Sequence, residues 1–344
     1  MNTEQRPFDL VLLGATGFTG RLVAEYLNTN YGVDSELKWA MAGRSKEKLE
    51  NLRSELGNSD IPILIANSLD RESLDKVTVQ TRVLCSTVGP YALYGSHTVA
   101  SCVDNDTHYC DLTGEVHWIR RMIDTHHEEA KRNKLRIVLC CGYDSVPSEM
   151  GVFYLQNEAR KRHGQYCKHV KMGVKASRGG LSGGTIASLS NILVEAEKDK
   201  SIYGLLGDPY ALNPEGMREG PDTRDLDHAE YDNHFARWKG PFMMASINTR
   251  VVRRGLALSK NPYGDDFRYE EFLLTGTGLS GRIKGHLSAM VLSLAAAKPG
   301  SFLQKLMQRF TPKPGEGPSP EEQQNGFWVF DAIGILSDEK MIRM

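Results

Sequence analysis

The sequence predicts an α/β fold: a Rossmann-type, doubly wound parallel sheet followed by a second, mixed α+β domain. Three observations predict it. Short apolar runs alternate with helical patterns through the first 140 or so residues. Those runs are continuous rather than alternating, as strands buried on both faces must be. A glycine triplet stands between the first run and the first helix.

Residues 9–13 read as the first buried strand. Residues 18–27 follow as a helix, with Leu22, Val23, Tyr26 and Leu27 at helical spacing. The alternation continues with strands at 37–42, 61–66, 82–88, 108–112 and 136–140. Between them lie helices at 45–55, 69–77, 96–105 and 116–133. Six strands of this kind predict the order 3-2-1-4-5-6. The pattern changes after about residue 150. A helix at 148–162 leads out of the first domain, and 168–177 alternates as a half-exposed strand does. A glycine-rich turn at 179–184 precedes a helix at 185–198, and residues 207–232 read as a long irregular connection. Residues 245–256 and 267–275 read as strands, 311–325 as a loop, and 327–344 as a last strand. Residues 1–150 are taken as an NADP-binding domain and 151–344 as a substrate and oligomerisation domain with a shortened C-terminus.

Composition narrows the function. The 42 basic and 43 acidic residues leave a net charge of −1, which excludes a dedicated nucleic-acid binder. Six cysteines without a C-x-x-C pair support neither a disulfide scaffold nor a structural zinc site, and point to a reducing, cytoplasmic setting. No metal site is expected. His126-His127 reads as part of a solvated helix face. The polar first eight residues lack a signal-peptide core, and no apolar run approaches the roughly 20 residues of a membrane span.

The chemistry-bearing residues gather at the carboxyl ends of the strands, where open α/β sheets bind ligands. Gly14, Gly17 and Gly20, with Thr16, Phe18 and Thr19, form a G-x-x-G-x-x-G turn. Its glycines admit a pyrophosphate to the backbone and aim a helix N-terminus at it. After the second strand, where NAD sites carry an acid, stand Arg44 and Ser45. A guanidinium there suits a 2′-phosphate, so NADP(H) is the expected cofactor. Val88, Gly89 and Pro90 give close access for the nicotinamide ribose, with Asp144 as a further cofactor contact. Tyr91, Tyr94, Tyr143 and Ser145 are the catalytic candidates, as proton donors or oxygen binders. A core or rim aromatic is an equal alternative for Tyr91 and Tyr94. Ser148, and Thr185 further on, read as helix caps, and Glu115 as an acid complementing the helix after it. There is no Y-x-x-x-K. Gly180-Leu181-Ser182-Gly183-Gly184 matches a hydrolase elbow by letter but lacks its buried strand.

These motifs together resemble the saccharopine dehydrogenase-like oxidoreductases, closest to the trans-acting enoyl reductase branch. The residues that carry the resemblance are Gly14 to Gly20, Ala42-Gly43-Arg44, Val88-Gly89-Pro90-Tyr91 with Tyr94-Gly95, Cys110-Asp111-Leu112-Thr113-Gly114-Glu115 and Gly142-Tyr143-Asp144-Ser145-Val146-Pro147-Ser148. Later segments extend it: Ser182-Gly183-Gly184-Thr185, Asn248 to Arg254, Phe267-Arg268-Tyr269 and Pro314 to Pro318. The resemblance implies NADPH-dependent reduction of an enoyl, lipid-like or polyketide-derived substrate, free or carrier-bound, in lipid or glycolipid biosynthesis. Two alternatives stay open. One is a nucleotide-binding scaffold without turnover. The other is a saccharopine-type amino-acid dehydrogenase, for which Arg178, Arg250, Arg253 and Arg254 would bind carboxylates; on a strand, Arg253 and Arg254 would face opposite ways. Residues 287–310 form a basic amphipathic stretch, which fits a peripheral membrane surface, an acyl chain or packing on its own domain. A homodimer is a further possible partner.

Overall fold

A computed structural model describes residues 6–33, 36–297, 299–301, 311–313 and 315–344. The chain divides into two compact units. The first comprises Met1–Gly142 with Ser182–Asn191 and Pro312–Gly317; the second comprises Tyr143–Leu181, Ile192–Thr311 and Pro318–Met344.

The first unit is built on six strands: β1 (Phe8–Leu13), β2 (Trp39–Gly43), β3 (Ile63–Ile65), β4 (Thr81–Ser86), β5 (His108–Asp111) and β6 (Ile137–Val138). All pair in parallel in the order β3-β2-β1-β4-β5-β6, the Rossmann arrangement that the alternation predicts. The connecting helices are α1 (Phe18–Asn30), α2 (Lys46–Glu55), α3 (Arg71–Thr78), the short α4 (Tyr91–Tyr94), α5 (Ser96–Asp104) and α6 (Val116–Arg132). One face of the sheet is closed by Leu12, Ala24, Leu27, Trp39, Met41, Leu49, Leu52 and Ile61. Burying apolar side chains of this size contributes about 1.5–3 kcal/mol each. All six cysteines are free.

The second unit opens with α7 (Val146–His163) and β7 (His169–Arg178). α8 (Gly183–Lys198), α9 (Ser201–Gly207), β8 (Glu230–Asp232), β9 (Arg237–Gly240), α10 (Ala245–Leu258), β10 (Arg268–Gly276) and α11 (Gly278–Ala295) follow. The first turns of α8 count with the first unit. α12 (Pro320–Gln324), β11 (Phe327–Ile335) and β12 (Met341–Arg343) complete the chain. The mixed sheet runs β12-β11-β7-β10-β9-β8, with β7 and β10 parallel and the other pairings antiparallel.

Four expectations for this unit fail. Residues 245–256 form the helix α10 rather than a strand. Its buried positions include Arg250 and Arg253, so apolar residues do not trace its inward face. The expected last strand is a hairpin, β11 and β12. Within the expected loop 311–325 lies α12, held by a capping box between Ser319 and Glu322. β7 does not alternate: its first half is buried and its last four residues are exposed.

Candidate functional site

β1 delivers the chain into a turn that only glycine can make. Gly14 has φ of +90°, and a Cβ there would lie 2.7 Å from Val88 Cγ2 and 2.9 Å from Thr87 Oγ1. The loops after β1 and β4 therefore touch. Gly20 serves packing: its Cβ would stand 2.1 Å from the Gly14 carbonyl oxygen, so α1 sits directly on the turn. Gly17 is the N-cap of α1 without a side-chain cap, and no acid occupies the first turn. The N–H groups of that turn have no intrahelical acceptor and point out of the helix.

Around this turn lies a cavity of about 430 Å³. Gly14, Thr16, Gly17, Phe18 and Thr19 form its floor, with Gly43 and Arg44 at the end of β2. Val88, Gly89, Pro90 and Tyr94 form the wall after β4. Ser182, Gly184 and Ala187 at the start of α8, with Gly315, add a side that the strand pattern alone does not reveal. Gly317 is pressed on the Phe18 ring, 2.4 Å from where its Cβ would be, and Gly183 N–H donates to the Glu316 carbonyl at 2.9 Å. Glu316 and Gly317 are thereby fixed beside the α1 and α8 N-termini. Among the described residues lining the cavity, Arg44 is the one charged side chain.

The wall after β4 is held from behind. Glu115 is fully buried, and its carboxylate accepts the N–H groups of Tyr91 (2.6 Å) and Ala92 (3.0 Å) and the Ser188 hydroxyl (2.8 Å). The expectation that Glu115 complements its own helix is corrected: it caps α4 and ties it to α8. Tyr91 is a core residue. Its hydroxyl donates to the Ser86 carbonyl (3.0 Å) and accepts from Leu112 N–H, and burial holds its pKa well above the usual value. Behind it, burial pushes the Asp111 carboxyl up to about 7, although Tyr109 OH and the N–H groups of Thr113 and Cys140 donate to it.

No protein-family model matches the chain. It is 35% identical over 344 residues to a trans-acting enoyl reductase of Mycobacterium leprae, covering 96% of this chain and 82% of that one. A trans-acting enoyl reductase of Mycobacterium tuberculosis is 35% identical over 347 residues, with the same coverage of 96% and 82%. The chain belongs to the trans-acting enoyl reductase family. It is an oxidoreductase of that family. Among solved structures, a saccharopine dehydrogenase (L-Glu forming) from Saccharomyces cerevisiae aligns with TM-score 0.49 and 13% identity, over 98% of this chain and 84% of that one.

The remaining expected site residues of this trans-acting enoyl reductase family member have local roles of their own. Ser45 is the N-cap of α2, accepting Lys48 N–H at 3.3 Å. In the second unit Asp144 is exposed, and Tyr143, 59% exposed, packs edge-on to Trp328. Trp328 stacks on Phe330 and meets Phe242 at 5.7 Å; the aromatic run 327–330 was the available signal for this cluster. Ser145 is 3% exposed and donates to Asn248 Oδ1 at 2.9 Å. Ser148 is not a cap. α7 starts two residues earlier, and the Ser148 hydroxyl donates to Glu271 Oε1 at 3.1 Å. Asn248 Nδ2 and Tyr269 OH donate to the same carboxyl, which burial pushes up to about 7. Ser182 caps α8 through Thr185 N–H at 3.3 Å, so it is no elbow nucleophile and Thr185 is no cap.

Of the four arginines expected for carboxylate binding, Arg178 is exposed at the end of β7 and the other three do other work. Arg250 pairs with Asp225 and donates to the Leu206 carbonyl. Arg253 pairs with Asp222 at 2.6 Å and donates to the Pro209 and Tyr269 carbonyls. Arg254 donates to the Leu212 carbonyl at 2.6 Å. On α10 the three guanidiniums reach one stretch, 206–222, instead of opposite faces, and bind it to the helix.

Proposed function

We propose that the chain binds NADPH in the cavity of its first unit and reduces the enoyl double bond of a lipid-like acyl substrate. The relatives' names support the reaction class. The observation that carries the cofactor choice is Arg44. Among the described residues that line the cavity it is the one charged side chain, at the strand end where an NAD site carries an acid.

The residues fit a dinucleotide. Gly14 and Gly17 leave the turn bare, and the first turn of α1 presents unpaired N–H groups to a pyrophosphate. Arg44 holds the 2′-phosphate by charge-assisted hydrogen bonds. Val88, Gly89 and Pro90 form the low wall against which a nicotinamide ribose fits. When bound, reduced nicotinamide supplies the hydride for the β-carbon of the enoyl group. The chain must then place a proton on the α-carbon and stabilise the oxygen that carries the developing charge. Tyr94, on the cavity wall, is the proton donor of this proposal. Gly184 at the start of α8 offers its N–H to the oxygen; those of Gly183 and Thr185 are taken by Glu316 and Ser182. Tyr91 and Ser145 drop out of the catalytic set, because their hydroxyls are taken up in buried hydrogen bonds. The acyl group arrives free, on a carrier or from a membrane surface.

A titration of NADPH and NADH followed by nicotinamide fluorescence tests the reading. Arg44→Ala weakens NADPH binding by about tenfold, near 1.4 kcal/mol, and leaves NADH binding unchanged. Equal affinity of the wild type for both nucleotides removes the cofactor assignment. Tight NADPH binding with no oxidation in the presence of any enoyl thioester removes the reaction.

A further inference from the structure

We propose that the outward face of α11 is a docking surface for an anionic lipid bilayer. The helix is packed inside out. Its inward face is made of its smallest residues. A Cβ on Gly281 would stand 2.5 Å from the Gly276 carbonyl, and one on Gly285 2.9 Å from Ala229 Cβ and 3.3 Å from the Lys239 oxygen. Ser288 fits against Gly240 in the same row. The backbone of α11 thus lies directly on β9 and β10, and there is no room inside for large side chains. These go outward: Leu279, Ile283, Leu287, Met290 and Val291 are each 51–72% exposed. Their spacing of three and four residues makes one continuous stripe. A helix stabilised only by its own unit would turn such a stripe inward.

Charge identifies what covers the stripe. Between Glu271 and Glu316 the sequence contains no Asp or Glu, while Arg282, Lys284, Lys298, Lys305, Arg309 and Lys313 all fall there. The whole chain carries a net charge of −1, so this block is a local concentration of cations. On α11 itself Arg282 and Lys284 flank Ile283, and the Arg282 guanidinium lies over the Trp238 ring at 5.5 Å, keeping its aliphatic stem along the surface. A two-fold contact between copies through this face would set Arg282 and Lys284 against their own copies. Anionic headgroups complement them while the stripe enters the acyl boundary, the geometry of an interfacial helix. Among the described residues no helix is long and apolar enough to cross a membrane, which leaves α11 lying in the interface plane. Lys298, Lys305 and Arg309 lie outside the described residues, and they enter only as sequence. The inference is independent of the reaction assigned to the first unit.

Co-sedimentation of the full chain with vesicles tests it, comparing phosphatidylcholine alone with phosphatidylcholine containing phosphatidylglycerol. Binding to the anionic vesicles exceeds binding to the neutral ones by about tenfold and falls as salt is raised. The double variant Ile283→Ser/Leu287→Ser changes only exposed side chains; it loses about tenfold of the partitioning and keeps the wild-type thermal midpoint. Lys284→Glu, a charge change alone, lowers anionic binding without altering neutral binding. The proposal is overturned if neither vesicle sediments the chain, or if the double variant partitions as the wild type does. It is equally overturned if the wild type elutes as a dimer that the double variant converts to monomer, which gives the face to a second copy.

Discussion

Glu115 offers the most direct test of how the cavity wall is held. Replacing it with alanine leaves the N–H groups of Tyr91 and Ala92, now bonded at 2.6 and 3.0 Å, without their acceptor, and frees the Ser188 hydroxyl bonded at 2.8 Å. A buried donor left unmade costs about 1–3 kcal/mol, so two backbone donors cost about 2–6 kcal/mol. The hydroxyl adds about 1 kcal/mol. Against a typical total of about 5–15 kcal/mol, that is a large fraction of the stability of the chain. Glu115→Gln keeps one carbonyl oxygen but turns an NH2 toward a donor, so it falls between wild type and alanine. Ser188→Ala removes only the hydroxyl and loses about 1 kcal/mol. Urea unfolding reads these directly as a lowered midpoint with an unchanged slope. A Glu115→Ala protein within about 0.5 kcal/mol of wild type refutes the reasoning, because the α4 donors must then be satisfied by water or another partner.

Three further outcomes follow from the same geometry. Gly14→Ala combines a disfavoured φ of +90° with a Cβ 2.7 Å from Val88 Cγ2, so it lowers stability by about 2–4 kcal/mol and weakens nucleotide binding; calorimetry with unchanged melting and binding contradicts this. Tyr91→Phe destabilises by about 1 kcal/mol through its lost bond to Ser86 and retains kcat, whereas Tyr94→Phe retains stability and lowers kcat with little change in KM. The opposite pattern in steady-state kinetics would return Tyr91 to the proton-donor role. For Glu271, burial raises the carboxyl from 4.5 to about 7, so between those values the folded state holds a proton that the unfolded chain has released. Its contribution is present at low pH and is lost as pH rises through about 7. Glu271→Gln therefore gains thermal stability relative to wild type between about pH 5 and about pH 8, and a difference independent of pH rejects the assignment.

The first unit was legible because its signals are local. Continuous apolar runs define β1 to β6, and Gly14, Gly17 and Gly20 mark the turn by the space they leave empty. What stayed hidden depends on partners distant in sequence. Glu115 reads as an ordinary N-terminal acid until the fold brings Tyr91, Ala92 and Ser188 to it, 24, 23 and 73 positions away. The side of the cavity formed by Ser182, Gly184 and Gly315 is supplied by segments that no local period connects to β1.

α10 is the sharper case. Hydrophobic periodicity assumes that inward positions are apolar, and here Arg250 and Arg253 are inward, at 1% and 3% exposure. Their acids, Asp225 and Asp222, stand 25 and 31 positions earlier in a stretch that reads as an irregular connection. A buried guanidinium is tolerated when most of its donors are met. Asp225 and the Leu206 carbonyl take the two terminal nitrogens of Arg250, whose Nε has no partner among the described residues. Asp222 with the Pro209 and Tyr269 carbonyls take Arg253. This bears on function as well as on folding. The amino-acid dehydrogenase alternative required these arginines for the carboxylates of its substrate. With Arg250, Arg253 and Arg254 turned onto the carbonyls of Leu206, Pro209 and Leu212, that charge is already engaged within the second unit. Freeing Arg253 for a diacid would strip Asp222, whose side chain is 6% exposed, of its ion-pair partner, a cost of about 3–5 kcal/mol that substrate binding would first have to overcome. The engaged arginines therefore set the chemistry of the second unit against the amino-acid dehydrogenase alternative.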